Sequence, residues 1–227
     1  MKAMILAAGY GNRLRPLTET TPKPLLKVGG VSLLERHIKR LVAVGITELV
    51  INISWLAEQI EDYFGDGSAF GVNISWSREP EPLETGGGVA KALPLLGGQP
   101  FLLVNGDIWS DFSLSSATVA KLNGDREAWL LMVDNPDHNP QGDFGLVDGL
   151  VDYQSNPKFT FSGISVLSPQ LFSAYQATHA DQVVFPLRDV LRPAIEAGLV
   201  AGSVYNGNWC DVGTLARYQQ LADRLQS

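Results

Sequence analysis

The order of apolar and polar runs in this chain predicts an α/β fold: a mostly parallel, twisted sheet with helices on both faces, in three αβα layers. Two observations carry that expectation. Strand-like runs alternate with amphipathic, helix-length segments through residue 133, the βαβα order that brings parallel strands together. The first run, Ala3–Ala7, is apolar throughout, as a strand buried in such a sheet would be. Length and composition agree. The 227 residues, 45% hydrophobic and 18% charged, suit one sizeable core and a single domain spanning residues 1–227.

Local chemistry places each element. After Ala3–Ala7, Ser32 stands where a helix cap belongs, with Glu35 at the capping-box position. Leu34, Ile38, Leu41 and Val42 form that helix's apolar stripe. Glu35 and Lys39 are an i,i+4 pair, and Gly45 stops the helix. Glu48–Ile53 reads as the next strand, Trp55–Phe64 as a helix and Val72–Ser77 as a strand with period-two alternation. A short helix is expected at Gly86–Leu93, beginning in a glycine cluster. Phe101–Val104 is a strand ending at Gly106-Asp107, Leu114–Leu122 a helix and Ala128–Val133 a strand. Beyond Val133 the pattern changes. Asp134–Gly142 is polar and turn-rich, and Phe144–Tyr153 and Lys158–Val166 predict a hairpin. Pro169–Gln176 and Leu187–Ala197 predict helices, Val200–Tyr205 a strand, and Thr214–Leu225 a closing helix, with Trp209–Asp211 on a late strand before it. Ligands of such sheets bind beyond the carboxyl ends of the strands. The loop after Ala7, the segment Glu79–Gly88 and Asp107 all fall at such ends, so they are expected to converge on one crevice.

A net charge of −7 argues against a general nucleic-acid-binding surface. The charge is unevenly spread. Residues 1–27 hold Lys2, Arg13, Arg15, Lys23 and Lys27 against Glu19 alone, a local +4 that leaves −11 on the remainder. A basic spot on an acidic body suits a small anionic ligand. A lone cysteine, Cys210, excludes an intramolecular disulfide. No apolar run suggests a membrane span or secretory leader. The expectation is a soluble protein of the reducing cytoplasm. Its partners would be small-molecule substrates, not nucleic acid or membrane, with the oligomeric state open.

Leu6 to Pro24 points to the ligand. The segment reads Leu-Ala-Ala-Gly-Tyr-Gly-Asn-Arg-Leu-Arg-Pro-Leu-Thr-Glu-Thr-Thr-Pro-Lys-Pro, a glycine-rich loop leaving a strand end with cations behind it. Glycines let several backbone N–H groups approach an anion. Arg13 and Lys23 add full charges for phosphate oxygens, and proline on each side restrains Lys23. Such a loop suits a nucleotide with several phosphates. It is neither of the commoner phosphate loops. The P-loop pattern is absent, and Leu14 stands where a dinucleotide fingerprint needs its third glycine.

This segment, with Val104-Asn105-Gly106-Asp107 and Trp209-Cys210-Asp211-Val212-Gly213-Thr214, resembles the signature of sugar-1-phosphate nucleotidyltransferases across most of the chain. The resemblance implies a Rossmann-like nucleotidyltransferase fold, with a nucleotide-binding half at about residues 1–133 and a sugar-binding half at about 134–227. It implies that Leu6, Ala7, Ala8, Gly9 and Gly11 wrap the nucleotide. Arg13 would grip the β,γ-phosphates, and Lys23 the α-phosphate or the sugar phosphate. The second loop would meet the base and then the sugar, with Glu79 and Gly86 on the nucleotide. A Glu79 carboxylate suits uracil N3–H and, slightly better, the adjacent N1–H and N2–H of guanine. Asn105, Gly145 and Gly163 would face the sugar. The family's Glu-Lys-Pro on the sugar-side hairpin is missing. Val151-Asp152-Tyr153-Gln154-Ser155-Asn156-Pro157-Lys158 stands there, so Lys23 would act alone or Lys158 would substitute.

The reaction so implied joins two anions. It requires charge neutralisation, in-line geometry and a stabilised pyrophosphate leaving group, without a covalent nucleophile. The expected cofactor is Mg²⁺, commonly held by one or two carboxylates plus phosphates and water. Asp107 and Asp211 are its expected ligands, each with a turn or helix-cap role as the alternative. Arg13, Lys23 and Asp107 are the expected catalytic residues. His37, His138 and His179 lack partners at metal-ligand spacing and are expected at the surface. Glu84-Thr85-Gly86-Gly87-Gly88 and Phe161-Ser162-Gly163-Ile164 further resemble family members that transfer a uridylyl group from UTP to N-acetylmuramate 1-phosphate in cell-wall recycling. That sugar's extra carboxylate would need a cation, Lys158 or Arg188. A mannose-1-phosphate guanylyltransferase is the alternative. So is a non-catalytic nucleotide-sugar sensor, which would typically lose Arg13, Lys23 or a metal aspartate.

Overall fold

The computed structural model describes residues 1–114, 122 and 125–225. In chain order the strands are β1 (Ala3–Leu6), β2 (Lys27–Val28), β3 (Val31–Ser32), β4 (Glu48–Ile53), β5 (Asn73–Arg78), β6 (Phe101–Asn105), β7 (Ile108–Ser110), β8 (Ala128–Val133), β9 (Phe144–Val147), β10 (Leu150–Asp152), β11 (Lys158–Leu167), β12 (Val200–Tyr205) and β13 (Trp209–Asp211). The α-helices are α1 (Leu17–Thr20), α2 (Leu33–Val42), α3 (Ala57–Phe64), α4 (Glu84–Leu96), α5 (Pro169–Thr178), α6 (Leu187–Glu196) and α7 (Leu215–Arg224). The helix expected at Leu114–Leu122 falls largely outside the described residues.

Among these residues, nine strands form one sheet in the order β5-β4-β1-β6-β11-β8-β12-β10-β9. The expected parallel order holds from β5 to β6. β11 then runs antiparallel to both β6 and β8, while β12 returns parallel to β8. The sheet is therefore mixed, parallel in its first half and mostly antiparallel in its second. The expected single strand Phe144–Tyr153 is itself a hairpin, β9 and β10. Asp148 and Gly149 take φ 51 and 79, the two left-handed residues that close a tight type I′ turn.

Successive side chains of the central strands point to opposite faces. Met4, Phe101, Leu103 and Leu130 join a core under α4, α5 and α6. Ala3, Ile5, Leu102 and Val104 join another under α2 and α3. That is the three-layer arrangement, and it explains why these strands are apolar without alternation. Ser32 caps α2 by accepting from the Glu35 N–H at 3.2 Å, and Lys39 pairs with Glu35 at 2.7 Å.

The glycine run in α4 serves close packing. A side chain at Gly87 would collide with the Val183 carbonyl, and one at Gly88 would lie 2.8 Å from Glu79 Oε1. At the far end of the chain, Leu221 and Ala222 of α7 pack with Leu14, Leu26 and Val28, and the Tyr218 hydroxyl donates to the Lys27 carbonyl at 2.6 Å. The closing helix thus braces the segment that carries Lys23. Among the described residues, no helix is long and apolar enough to cross a membrane.

Candidate active site

A crevice of about 430 Å³ opens at the carboxyl end of β1. The loop from Leu6 to Leu14 forms one wall, and Lys23, Asn105 and Asp107 lie across from it, with Glu79 and Thr85 from the second loop. The strand-end segments expected to converge do converge. Gly11, at φ 67, turns the loop where a side chain would press on Thr18. Arg13 lines the crevice, exposed and without an ion-pair partner among the described residues.

Lys23 is fixed. Its Nζ donates to Asp107 Oδ2 at 2.7 Å, and its side chain is only 13% exposed. Asp107 is fixed in turn by the backbone. The Gly106 N–H donates to the Leu6 carbonyl at 2.9 Å, and a Cβ on Gly106 would collide with that carbonyl. Glycine therefore lets the turn before β7 lie against the end of β1.

Asp211 arrives through a pairing that the sequence did not reveal. β7 and β13 pair antiparallel, and the Val212 N–H donates to the Asp107 carbonyl at 2.7 Å. The two aspartates so occupy adjacent strand ends. Asp211 Oδ2 accepts from Arg217 at 2.8 Å. Its Oδ1 lies 3.0 Å from His138 Nε2, yet it is buried and makes no aligned hydrogen bond. His138 is exposed, as expected of a surface residue, and its ring stands against this carboxylate. Among the described residues, no three His, Cys, Asp or Glu side chains form a complete metal cage. Two carboxylates, one with an unbonded oxygen, fit a hard cation that takes its other ligands from phosphates and water.

Glu79 differs from the expectation for a base contact. It is 4% exposed, Asn52 Nδ2 donates to its Oε1 at 2.7 Å, and the Leu83 N–H donates to its Oε2 at 2.9 Å. Asn52 Oδ1 accepts from the Ala7 N–H at 2.9 Å. One chain of hydrogen bonds thus ties the glycine loop to the second loop through two buried side chains. Asn52 was missed in the sequence; the available signal was a lone amide inside the apolar run of β4.

A second crevice, about 480 Å³, adjoins the first and shares Thr85 and Asn105 with it. Gly163 takes φ 81, and a Cβ there would lie 2.8 Å from Asn105 Cγ. Gly163 therefore acts by seating Asn105, whose buried Oδ1 has no hydrogen bond. Five expected residues line neither crevice: Gly163, which acts through Asn105, Asp211, which stands behind Asp107 on β13, and Gly86, Gly145 and Lys158. Gly86 is buried in α4, where the Phe185 ring leaves no room for a side chain. Gly145 is covered by the Ser155 backbone. Lys158 lies toward Asp152, whose carboxyl is held low by Ser155 first and by Lys158 in addition. The second crevice instead presents Tyr153, Arg188 and Arg192, of which Arg188 alone was anticipated.

His37 is also a correction. It is 3% exposed, under the Gly106–Ile108 turn. Burial, then the charge of Arg40, push its pKa down to about 4. An unfolded histidine titrates near 6.5. The depressed folded-state value means stability is complete above about pH 6.5 and is lost as pH falls toward 4, by about 3 kcal/mol. Denaturant titrations of the metal-free protein at pH 7.5 and 4.5 should show this fall, and His37→Asn should flatten it. Parallel curves for the two proteins would exclude His37 as the cause.

A glycine-rich anion loop, a restrained lysine–aspartate pair and a second crevice abutting the first define a nucleotide-handling transferase of the α/β type. The chain belongs to the nucleotidyl transferase family, whose model matches residues 2–227. It is 50% identical to the N-acetylmuramate alpha-1-phosphate uridylyltransferase of Neisseria meningitidis over 97% of this chain and 96% of that one. It is 30% identical to the mannose-1-phosphate guanylyltransferase catalytic subunit beta of Danio rerio over 94% of this chain, but spans 61% of that longer protein. In fold it matches a Bacillus anthracis structure described as a glucose-1-phosphate thymidylyltransferase, with TM-score 0.85, 20% identity, and coverage of 100% of this chain and 96% of that one.

Proposed function

We propose that this chain transfers a uridylyl group from UTP to N-acetylmuramate 1-phosphate, giving the nucleotide sugar and pyrophosphate, with Mg²⁺ as cofactor. The observation that carries the reading is the Lys23–Asp107 pair, held at 2.7 Å at the foot of the glycine loop. The choice of sugar draws support from the Neisseria relative, similar over nearly the full length of both chains.

The chemistry follows from the residues. A sugar-phosphate oxygen attacks the α-phosphorus in line, and the bond from that phosphorus to the bridging oxygen breaks. The attacking oxygen is already anionic, so no general base is required. Loop N–H groups and Arg13 neutralise the outer phosphates and so stabilise departing pyrophosphate. Lys23, already positioned by Asp107, offsets charge at the reacting phosphates without reorganising. Asp107 and Asp211 would hold Mg²⁺, which when bound supplies further charge neutralisation at the α-phosphate. Glu79 ties the two loops together and does not choose the base. It is 4% exposed, and Asn52 and the Leu83 N–H hold its two oxygens, so the preference for UTP draws its support from the Neisseria relative.

The test is a matrix of UTP and GTP against N-acetylmuramate 1-phosphate and mannose 1-phosphate, with Mg²⁺, read by pyrophosphate release. UTP with the muramate should be fastest. If GTP with mannose 1-phosphate outpaces it, the substrate assignment is wrong and the reaction class stands.

A further inference from the structure

We infer that the second crevice is a receptor for a carboxylate carried by the sugar, with Arg192 and Arg188 as its cations and the Tyr153 hydroxyl as a third donor. This rests on the sugar-phosphate reading above and extends it to the residues that select the sugar.

Four observations converge. The crevice meets the nucleotide pocket at Thr85 and Asn105, so a sugar whose phosphate lies at Lys23 extends into it. Arg188 and Arg192 stand one helical turn apart on α6, and both line it. Neither is committed. Arg188 Nε is 3.8 Å from Asp189 Oδ1 with its side chain 74% exposed, too far for a hydrogen bond. Arg192 has no ion pair among the described residues, and its guanidinium lies over the Tyr153 ring, 5.5 Å from the centroid. Stacking of that kind leaves the N–H edge of the guanidinium available.

The third donor is Tyr153 itself. Its hydroxyl oxygen is buried and has no hydrogen-bond partner, an arrangement that calls for a ligand to complete it. The crevice wall also includes the first turn of α6, whose N-cap Pro186 offers no side-chain cap, and a helix N-terminus favours an anion. The one acid in the wall, Asp143, is occupied. Its oxygens accept from the Phe161 N–H at 2.8 Å and from Asn139 Nδ2 at 3.2 Å. Its remaining lone pairs suit a sugar hydroxyl.

Two guanidinium groups and a phenol hydroxyl match a carboxylate, which accepts from several donors at once. A sugar 1-phosphate bearing a carboxylate on an ether arm fills this receptor. A neutral sugar 1-phosphate leaves two cations and a buried donor unmatched.

The experiment compares N-acetylmuramate 1-phosphate with N-acetylglucosamine 1-phosphate, which lacks only the carboxylate arm, as substrates with UTP. The readout is the ratio of kcat/KM for the two sugars. Arg192→Gln and Arg188→Gln should each lower that ratio roughly tenfold or more, mainly through KM for the muramate. Tyr153→Phe, which keeps the ring and the packing, should lower it by less, and Arg192→Lys should restore part of it. A ratio unchanged in all the variants, with the wild-type enzyme still preferring the muramate, overturns the receptor and leaves the function standing. A wild-type enzyme that prefers the sugar without the carboxylate overturns both.

Discussion

Asp107→Asn should abolish turnover, with a fall in Mg²⁺-dependent pyrophosphate release of about 10³-fold or more. Asparagine keeps the shape of the side chain, and its oxygen can still accept from Lys23. The Gly106–Leu6 hydrogen bond that places the turn is untouched. The thermal midpoint should therefore stay close to that of the parent protein. What is lost is the negative charge opposite Lys23, at the strand end that β13 brings beside Asp211. A variant that releases pyrophosphate within tenfold of the parent would remove Asp107 from the mechanism.

Lys23→Ala should produce the second-largest loss, about 10²- to 10³-fold in kcat, with a smaller change in KM for the nucleotide. The contrast with Arg13 is informative. Arg13 is exposed at the rim of the crevice and Lys23 is held at its floor. Arg13→Ala should accordingly raise KM for the nucleotide by about tenfold, the effect of losing a charge-assisted contact, while kcat changes less. Steady-state kinetics on both variants separate the roles. If the Lys23 variant loses only nucleotide affinity and the Arg13 variant loses only kcat, the assignments along the loop are reversed.

The parts of this protein legible in its sequence were those with local causes. The Ser32 cap, the Glu35–Lys39 pair, and strands β4, β8 and β12 each depend on residues a few positions apart. The glycine loop and Asp107 were legible because strand ends are where α/β ligands sit. The parts that stayed hidden depend on distant pairing. Nothing local connects β7 with β13, so the reason Asp211 reaches Asp107 could not be read. Glu79 sits in a charged, proline-rich stretch and was expected on the nucleotide, but Asn52 draws it inward from another strand. Gly86 was misread because a glycine that admits a ligand and one that admits a neighbouring ring look alike in sequence. His37 left a signal that was passed over. It lies three residues after Leu34 and four before Leu41, on the apolar stripe of its own helix.

The hydrogen-bond chain from Ala7 through Asn52 and Glu79 to Leu83 has a mechanical consequence. It crosses from the end of β1 to the start of α4, so the two loops that would enclose the nucleotide form one stiff cradle. A stiff cradle cannot fold down over its contents. Any tightening of the cleft around bound reactants then belongs to the facing side, where α6 and the β9–β10 hairpin stand. In hydrogen exchange, the Ala7 and Leu83 amides should be slow with or without reactants, while protection gained on binding gathers on that facing side.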